Sequence, residues 1–178
     1  GELFQARKTL NQPTKYPASP LLITDQPWEQ GQGITYANVI HDQDEGLVKM
    51  WYGSWLVDAK PSQMTIGYAT SPDGITWTKP LINEKNRTNV VLTPDVIGFQ
   101  APGIFKDPIE TDPQRRFKML FLAAPDGTSK TWSTNAAYSP DGIHWTADPG
   151  NPLIPFSDVQ PCPFWDANRN RYVAILRW

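Results

Sequence analysis

Apolar positions along this chain come in short runs of alternating character, not in the 3.6-residue recurrence of a helix face. Val39-Ile40-His41-Asp42, Val48-Lys49-Met50-Trp51-Tyr52, Ile66-Gly67-Tyr68-Ala69-Thr70, Phe117-Lys118-Met119-Leu120-Phe121 and Asn135-Ala136-Ala137-Tyr138 are rich in β-branched and aromatic residues. Pro, Gly, Asn or Asp interrupts the pattern every several residues, which predicts strands joined by turns. The chain reads as all-β.

The runs repeat. Ser71-Pro72-Asp73-Gly74-Ile75-Thr76-Trp77-Thr78 recurs as Ser139-Pro140-Asp141-Gly142-Ile143-His144-Trp145-Thr146, so that Asp73 and Asp141 stand 68 residues apart. Each copy follows one short strand and leads into another. Pro at the second position presets φ, Asp tolerates the bridge conformation and Gly accepts the left-handed one, which makes each copy a hairpin turn with a G1 bulge. Upstream, Met50 and Met119 mark a second matching hairpin, and Tyr172-Val173-Ala174 begins a third. Three similar turn starts precede these strands, at Asp42, Asp107 and Asp166. A recurring unit of four antiparallel strands is the pattern of a propeller blade, stacked radially around a channel. Blade one is expected over about 28–80, blade two over about 96–148 and the start of blade three over about 157–178, all within one partial propeller domain, 1–178. Most aromatics, Trp77 and Trp145 included, are then packing residues between sheets, and Asp73 and Asp141 belong to turns.

Composition agrees. The chain has 178 residues, 18 of them Pro and 8 Trp, and that Pro content is roughly twice average usage. A net charge of −2, with no Lys/Arg cluster beyond Arg115-Arg116, gives no electrostatic footprint for nucleic acid. No apolar stretch reaches the ~18 residues of a membrane span. The first residue, Gly1, is not an initiator Met, and the chain stops at Trp178 within a strand-like run, so both ends are read as cuts and the remaining blades as missing. The lone Cys162 excludes an internal disulfide and reads as a small buried residue. With only His41 and His144 there is little material for a histidine metal site, and no G-x-S-x-G elbow is present. Asp42-Gln43-Asp44-Glu45-Gly46 has the D-x-D-x-G look of a calcium loop. The equivalent turns at Asp107 and Asp166 differ in length and acid content, as solvent-facing loops do, and neither a metal nor an organic cofactor is expected.

The residues that carry these repeats resemble the glycosyl hydrolase superfamily of five-bladed propellers, which includes invertases, levanases, arabinanases and β-xylosidases. The resemblance rests on Pro27-Trp28-Glu29 after Pro20-Leu21-Leu22-Ile23-Thr24-Asp25, on Met50-Trp51-Tyr52 and on the two Ser-Pro-Asp-Gly-x-x-Trp turns. It extends through Arg116-Phe117-Lys118-Met119, Pro149-Gly150-Asn151-Pro152-Leu153-Ile154 and Arg171-Tyr172-Val173-Ala174. It implies five blades, of which this chain covers about two and a half, a carbohydrate substrate or ligand, and a secreted or periplasmic bacterial protein. A sialidase propeller is the runner-up. Its S-x-D-x-G-x-x-W box places one residue between Asp and Gly, whereas Asp73-Gly74 and Asp141-Gly142 are adjacent.

Glycoside hydrolysis uses two carboxyl groups flanking the scissile bond. In the family these come from the innermost strands, which directs attention to the residues before each turn start. The candidates are Glu29 paired with Asp158, then Asp95, with Trp28, Asn38, Gln100 and Gln160 as sugar contacts. Where family members carry an acid beside a proline, this chain reads Gln100-Ala101-Pro102 and Gln160-Pro161-Cys162. Glutamine can hydrogen-bond a sugar hydroxyl but cannot transfer a proton as a carboxyl does. Two readings therefore stand: a glycosidase, or a non-catalytic propeller that binds sugar or protein. The isolated piece, with open sheet edges, is expected to be inactive.

Overall fold

The alternating runs form the strands their patterning predicts. In the computed structural model, which describes residues 7, 9–29, 33–57, 63–82, 85–92, 99–124 and 132–177, β1 (Thr35–Asp42), β2 (Leu47–Trp55), β3 (Met64–Ser71) and β4 (Val90–Leu92) make one antiparallel sheet in chain order. The pattern recurs in β5 (Gln100–Lys106), β6 (Phe117–Ala123), β7 (Ser133–Ser139) and β8 (Thr146–Ala147), with β9 (Ile154–Pro155) also paired to β7. A third sheet consists of β10 (Asp158–Asp166) and β11 (Arg171–Arg177). Register repeats with the topology: Trp51 faces Tyr68 across β2 and β3, and Leu120 faces Ala136 across β6 and β7. The chain is a partial β-propeller with two blades and the inner hairpin of a third.

Both Ser-Pro-Asp-Gly turns are stitched identically. Ser71 Oγ accepts from the amides of Asp73 and Gly74, and Asp73 Oδ1 accepts from those of Ile75 and Thr76. Ser139 and Asp141 repeat every one of these bonds. Gly74 and Gly142 take φ of 75° and 79°, the left-handed conformation the turn requires of them. These backbone bonds hold the Asp73 and Asp141 carboxyls at about 2, although burial opposes them at Asp141.

The strand expected directly after each turn is shorter than the repeat suggests. In blade one Thr78 makes only an isolated bridge to Thr70, and the sheet edge is completed by β4, beyond the expected boundary at 80. Pro80 has no N–H to continue a ladder, and Lys79 turns away to ion-pair with Glu29. Blade two likewise continues past 148, to β9.

The core lies between the first two sheets. Trp51, Met64, Ile66 and Tyr68 from one meet Phe99, Ile104, Phe117, Met119 and Phe121 from the other. Trp51 is fully buried, its ring centroid 5.4 Å from Tyr68 and 5.8 Å from Phe117. An indole buries ~150–250 Å², so this one side chain contributes on the order of 4–6 kcal/mol of gross hydrophobic stabilisation. Two aromatics of the third sheet, Tyr172 and Phe164, stay outside it and are exposed. At the turn end of this interface Asp42 is held by Lys106, and Lys49 Nζ stands 2.8 Å from Asp42 Oδ2, in ion-pair contact without hydrogen-bond geometry. The segment with the calcium-loop spacing thus spends its buried carboxylate on two lysines.

Candidate functional site

The first strands of the three sheets, β1, β5 and β10, converge on one another. Each is bulged near its start: register shifts between Thr35 and Asn38, between Gln100 and Gly103, and between Asp158 and Cys162. Inside each bulge one non-glycine residue takes a left-handed backbone, Tyr36 at φ 48°, Ala101 at 52° and Val159 at 64°. Such a conformation costs roughly 1–2 kcal/mol per residue, most plainly at a β-branched valine. Bulges and strained backbone of this kind gather at sites where side chains are re-aimed. The residues just ahead of the three bulges, Thr35, Gln100 and Asp158, therefore occupy one repeated position. Thr35 carried no sequence signal, because only the structure aligns it with the other two.

Bulging leaves the carbonyls of Tyr36 and Pro102 outside the strand ladder, and two carboxamides take them up. Asn38 Nδ2 donates to Tyr36 O at 3.0 Å and to Pro102 O at 2.8 Å. Gln160 Nε2 donates to the same two oxygens at 3.2 and 2.7 Å. Asn38 Oδ1 accepts from the amide of Ile104 at 2.9 Å. The close approach depends on Gly103, where a Cβ would collide with Pro161 O. A cavity of about 220 Å³ opens beside these groups, lined by Ala37, Asn38, Ile104, Gln160, Pro161 and Cys162. Cys162, expected inside, is exposed. Pro161 is the buried residue because it packs against Gly103, and strand alternation turns its successor to the open face.

The candidate acids are placed differently from one another. Glu29 ends a short 3-10 turn (Pro27–Glu29) and is almost wholly buried. Lys79 Nζ lies 2.7 and 2.8 Å from its two oxygens, Tyr52 Oη donates to it at 2.6 Å and the Gln26 amide at 2.9 Å. Burial, with Glu29 alongside, pushes the Tyr52 hydroxyl far above its ordinary value. Lys79 also reaches Ile23 O and Asp25, while Trp28 Nε1 donates to Asn89 and Asn89 donates to Tyr52 Oη and Tyr68 O. Tyr52 follows Trp51 in β2 and so points to the sheet face away from blade two. Glu29 and Trp28 thus sit in a polar network that fastens residues 23–29 to that face, and every contact described for the Glu29 carboxylate is internal. Asp158, by contrast, is exposed at the start of β10 and ion-pairs with Arg177, which holds its carboxyl below the ordinary carboxylate value. Gln100 begins β5, opposite Leu122. Asp95 lies outside the described residues. Of the expected site residues, then, the structure joins Asn38 with Gln160, sets Gln100 and Asp158 at equivalent places, and gives Glu29 and Trp28 other partners. Among the described residues no group of three His, Cys, Asp or Glu side chains is arranged to hold a metal ion, and no helix is long and apolar enough to cross a membrane.

No family model matches the chain, and no curated protein matches it. Solved structures do. The exo-inulinase of Aspergillus awamori superposes with a TM-score of 0.58 at 18% identity, over 85% of this chain and 35% of the inulinase. A Bacteroides ovatus protein assigned to the glycoside hydrolases superposes with a TM-score of 0.51 at 19% identity, over 78% of this chain and 41% of its own length. This chain spans well under half the length of either. At these identities the likeness is one of fold, and the chain shares its partial propeller architecture with solved glycoside hydrolases.

Proposed function

We propose that this chain is part of a carbohydrate-active propeller of glycoside-hydrolase type, which receives a poly- or oligosaccharide at the bulged starts of its innermost strands. The observation that carries this reading is the strained residue at one repeated place in three successive strands, Tyr36, Ala101 and Val159. Strain of that kind persists only where the surrounding structure over-determines it, and it clusters at ligand and active sites. The fold likeness to an exo-inulinase supplies the ligand class.

In this reading Asp158 is the ligand-facing carboxylate of the described residues and Gln100 a hydrogen-bonding neighbour. The Arg177 guanidinium lowers the Asp158 carboxyl from its ordinary value, the direction that suits a base or nucleophile and not the protonated acid a leaving group needs. Glu29 acts as a buried staple, so the acid of a hydrolytic pair would come from Asp95 or from other blades. Sugar or protein binding without turnover is the second reading, favoured by carboxamides at Gln100 and Gln160.

The test uses the full-length protein with a panel of soluble fructan, arabinan and xylan oligosaccharides, read by calorimetry for binding and by reducing-sugar release for turnover. Binding of one class, weakened about tenfold, or ~1.4 kcal/mol, by Asp158→Asn, is the expected result. Turnover abolished by the same substitution selects the glycosidase, and binding without turnover the second reading. Failure to bind any of the panel, or binding indifferent to Asp158→Asn, overturns the proposal.

A further inference from the structure

We propose that Asn38 and Gln160 are positioning residues, a carboxamide clasp that locks the bulges of three blades into one geometry; as a statement about ligand binding this rests on the carbohydrate reading above. A bulge removes cross-strand partners from the residues inside it, and a buried carbonyl without a partner is costly. Tyr36 O and Pro102 O belong to two different blades, yet both are satisfied by the same pair of side chains. Each oxygen has two lone pairs and receives two donors. Each amide has two N–H groups and serves two oxygens. Gln160 Nε2 also stands 3.5 Å from Asn38 Oδ1, tying the two side chains together, and Asn38 Oδ1 accepts from the Ile104 amide, a direct bond from blade one to the ladder of blade two.

This arrangement explains why amides stand at positions expected to touch sugar. Asn38 faces its own blade and the next, and Gln160 reaches from the third blade back to the first, 124 residues away in sequence. A carboxylate at either place would set negative charge against two carbonyl oxygens, and an apolar side chain would leave both short of donors. The clasp thereby fixes where Thr35, Gln100 and Asp158 leave their strands, which are the points at which the proposed ligand would be met. Asn38 and Gln160 act through these residues and are not themselves the contacts.

The experiment is residue-resolved NMR of the full-length protein with two substitutions, Gln160→Met and Gln160→Glu. Gln160→Met keeps the volume and removes both donors. It is expected to shift the amides of Tyr36 and Ala101, in blades one and two, while β7 and the Ser139 turn stay unchanged. Gln160→Glu gives the same pattern at neutral pH but regains one O–H donor when its carboxyl is protonated. The Tyr36 and Ala101 amides should then return toward wild-type positions on acidification through that titration, a pH response that Gln160→Met lacks and that loss of packing alone would not produce. Changes confined to β10, or a Gln160→Glu variant without the pH response, overturn the clasp. None of these readouts needs a ligand: the expected shifts in a wild-type protein that binds no glycan would uphold the clasp and sink the carbohydrate reading.

Discussion

Trp51 in the first blade donates its indole N–H to the carbonyl of Gly142 in the second at 2.6 Å, and its ring occupies the space where a Cβ on Gly142 would stand. Gly74 is the same residue in the same turn of blade one, with nearly the same φ, but nothing lies within 4 Å of the place its Cβ would take. The two glycines separate backbone strain from packing. Gly74→Ala should destabilise by ~1–2 kcal/mol, the cost of the left-handed backbone. Gly142→Ala should add an overpacking cost of ~1–3 kcal/mol as Trp51 is displaced. Urea unfolding of both variants measures the difference, and equal losses would mean that the inter-blade contact carries no weight.

Glu29 and Lys79 form the least exposed ion pair on the outer face of blade one, with side-chain exposures of 3% and 9%. Removing one partner leaves a buried charge, which costs ~3–5 kcal/mol. Lys79→Met should therefore destabilise severely, and Glu29→Gln combined with Lys79→Met should cost much less than the sum of the single changes. A double-mutant cycle by chemical denaturation decides it. Additive losses would show that the staple role of Glu29 is overstated.

How far the sequence reaches depends on how local the physics is. Ser71-Pro72-Asp73-Gly74 and its copy are legible because every bond of the turn closes within a few residues. The bulges are not. Tyr36, Ala101 and Val159 have no preference for a left-handed backbone, and nothing beside them in sequence announces it. The burial of Glu29 is not legible either, because its partner, Lys79, lies 50 residues further on. Asn38 and Gln160 were legible as residues of the inner strands, but their joint task was not, since it exists only once three blades meet. Cys162 was misread for the same reason: Gly103, on β5 of the second sheet, decides that Pro161 is the residue buried.

Tyr172 of the third sheet donates its hydroxyl to Asp107 of the second at 2.7 Å, beside Lys118. Burial, then this carboxylate, pushes the phenol up to about 12. The bond docks an otherwise exposed hairpin. Tyr172→Phe should cost about 1.5 kcal/mol, the lower end for a bond to a charged group because the ring is half solvated. Proteolysis within β10 and β11 should accelerate while the first two sheets remain resistant. Unchanged cleavage would show that Trp165 and Phe105, which flank the tyrosine ring, suffice to hold the hairpin.

Asp42 is 1% exposed at the junction of blades one and two, between Lys49 and Lys106. Burial acts to raise its carboxyl, but the hydrogen bond from Lys106 and the charges of both lysines outweigh it and hold the group at about 2, against 3.8 ordinarily. A folded-state value below the unfolded one means that the unfolded chain takes up the proton first. The stabilisation is therefore complete above 3.8 and is lost as pH falls through about 2. A depression of this size corresponds to about 2 kcal/mol. Asp73, Glu110 and Asp141 are lowered to about 2 as well, so the wild-type acid slope has several contributors, and the informative quantity is its difference from Asp42→Asn. That variant should be less stable at neutral pH, because two lysines lose their shared counter-charge. Between about pH 4 and about pH 2 it should then lose stability less steeply than the wild type, by the increment given above. Urea melts across the window measure both slopes, and parallel slopes would place the acid sensitivity of this fold in its turns and not at the seam between blades.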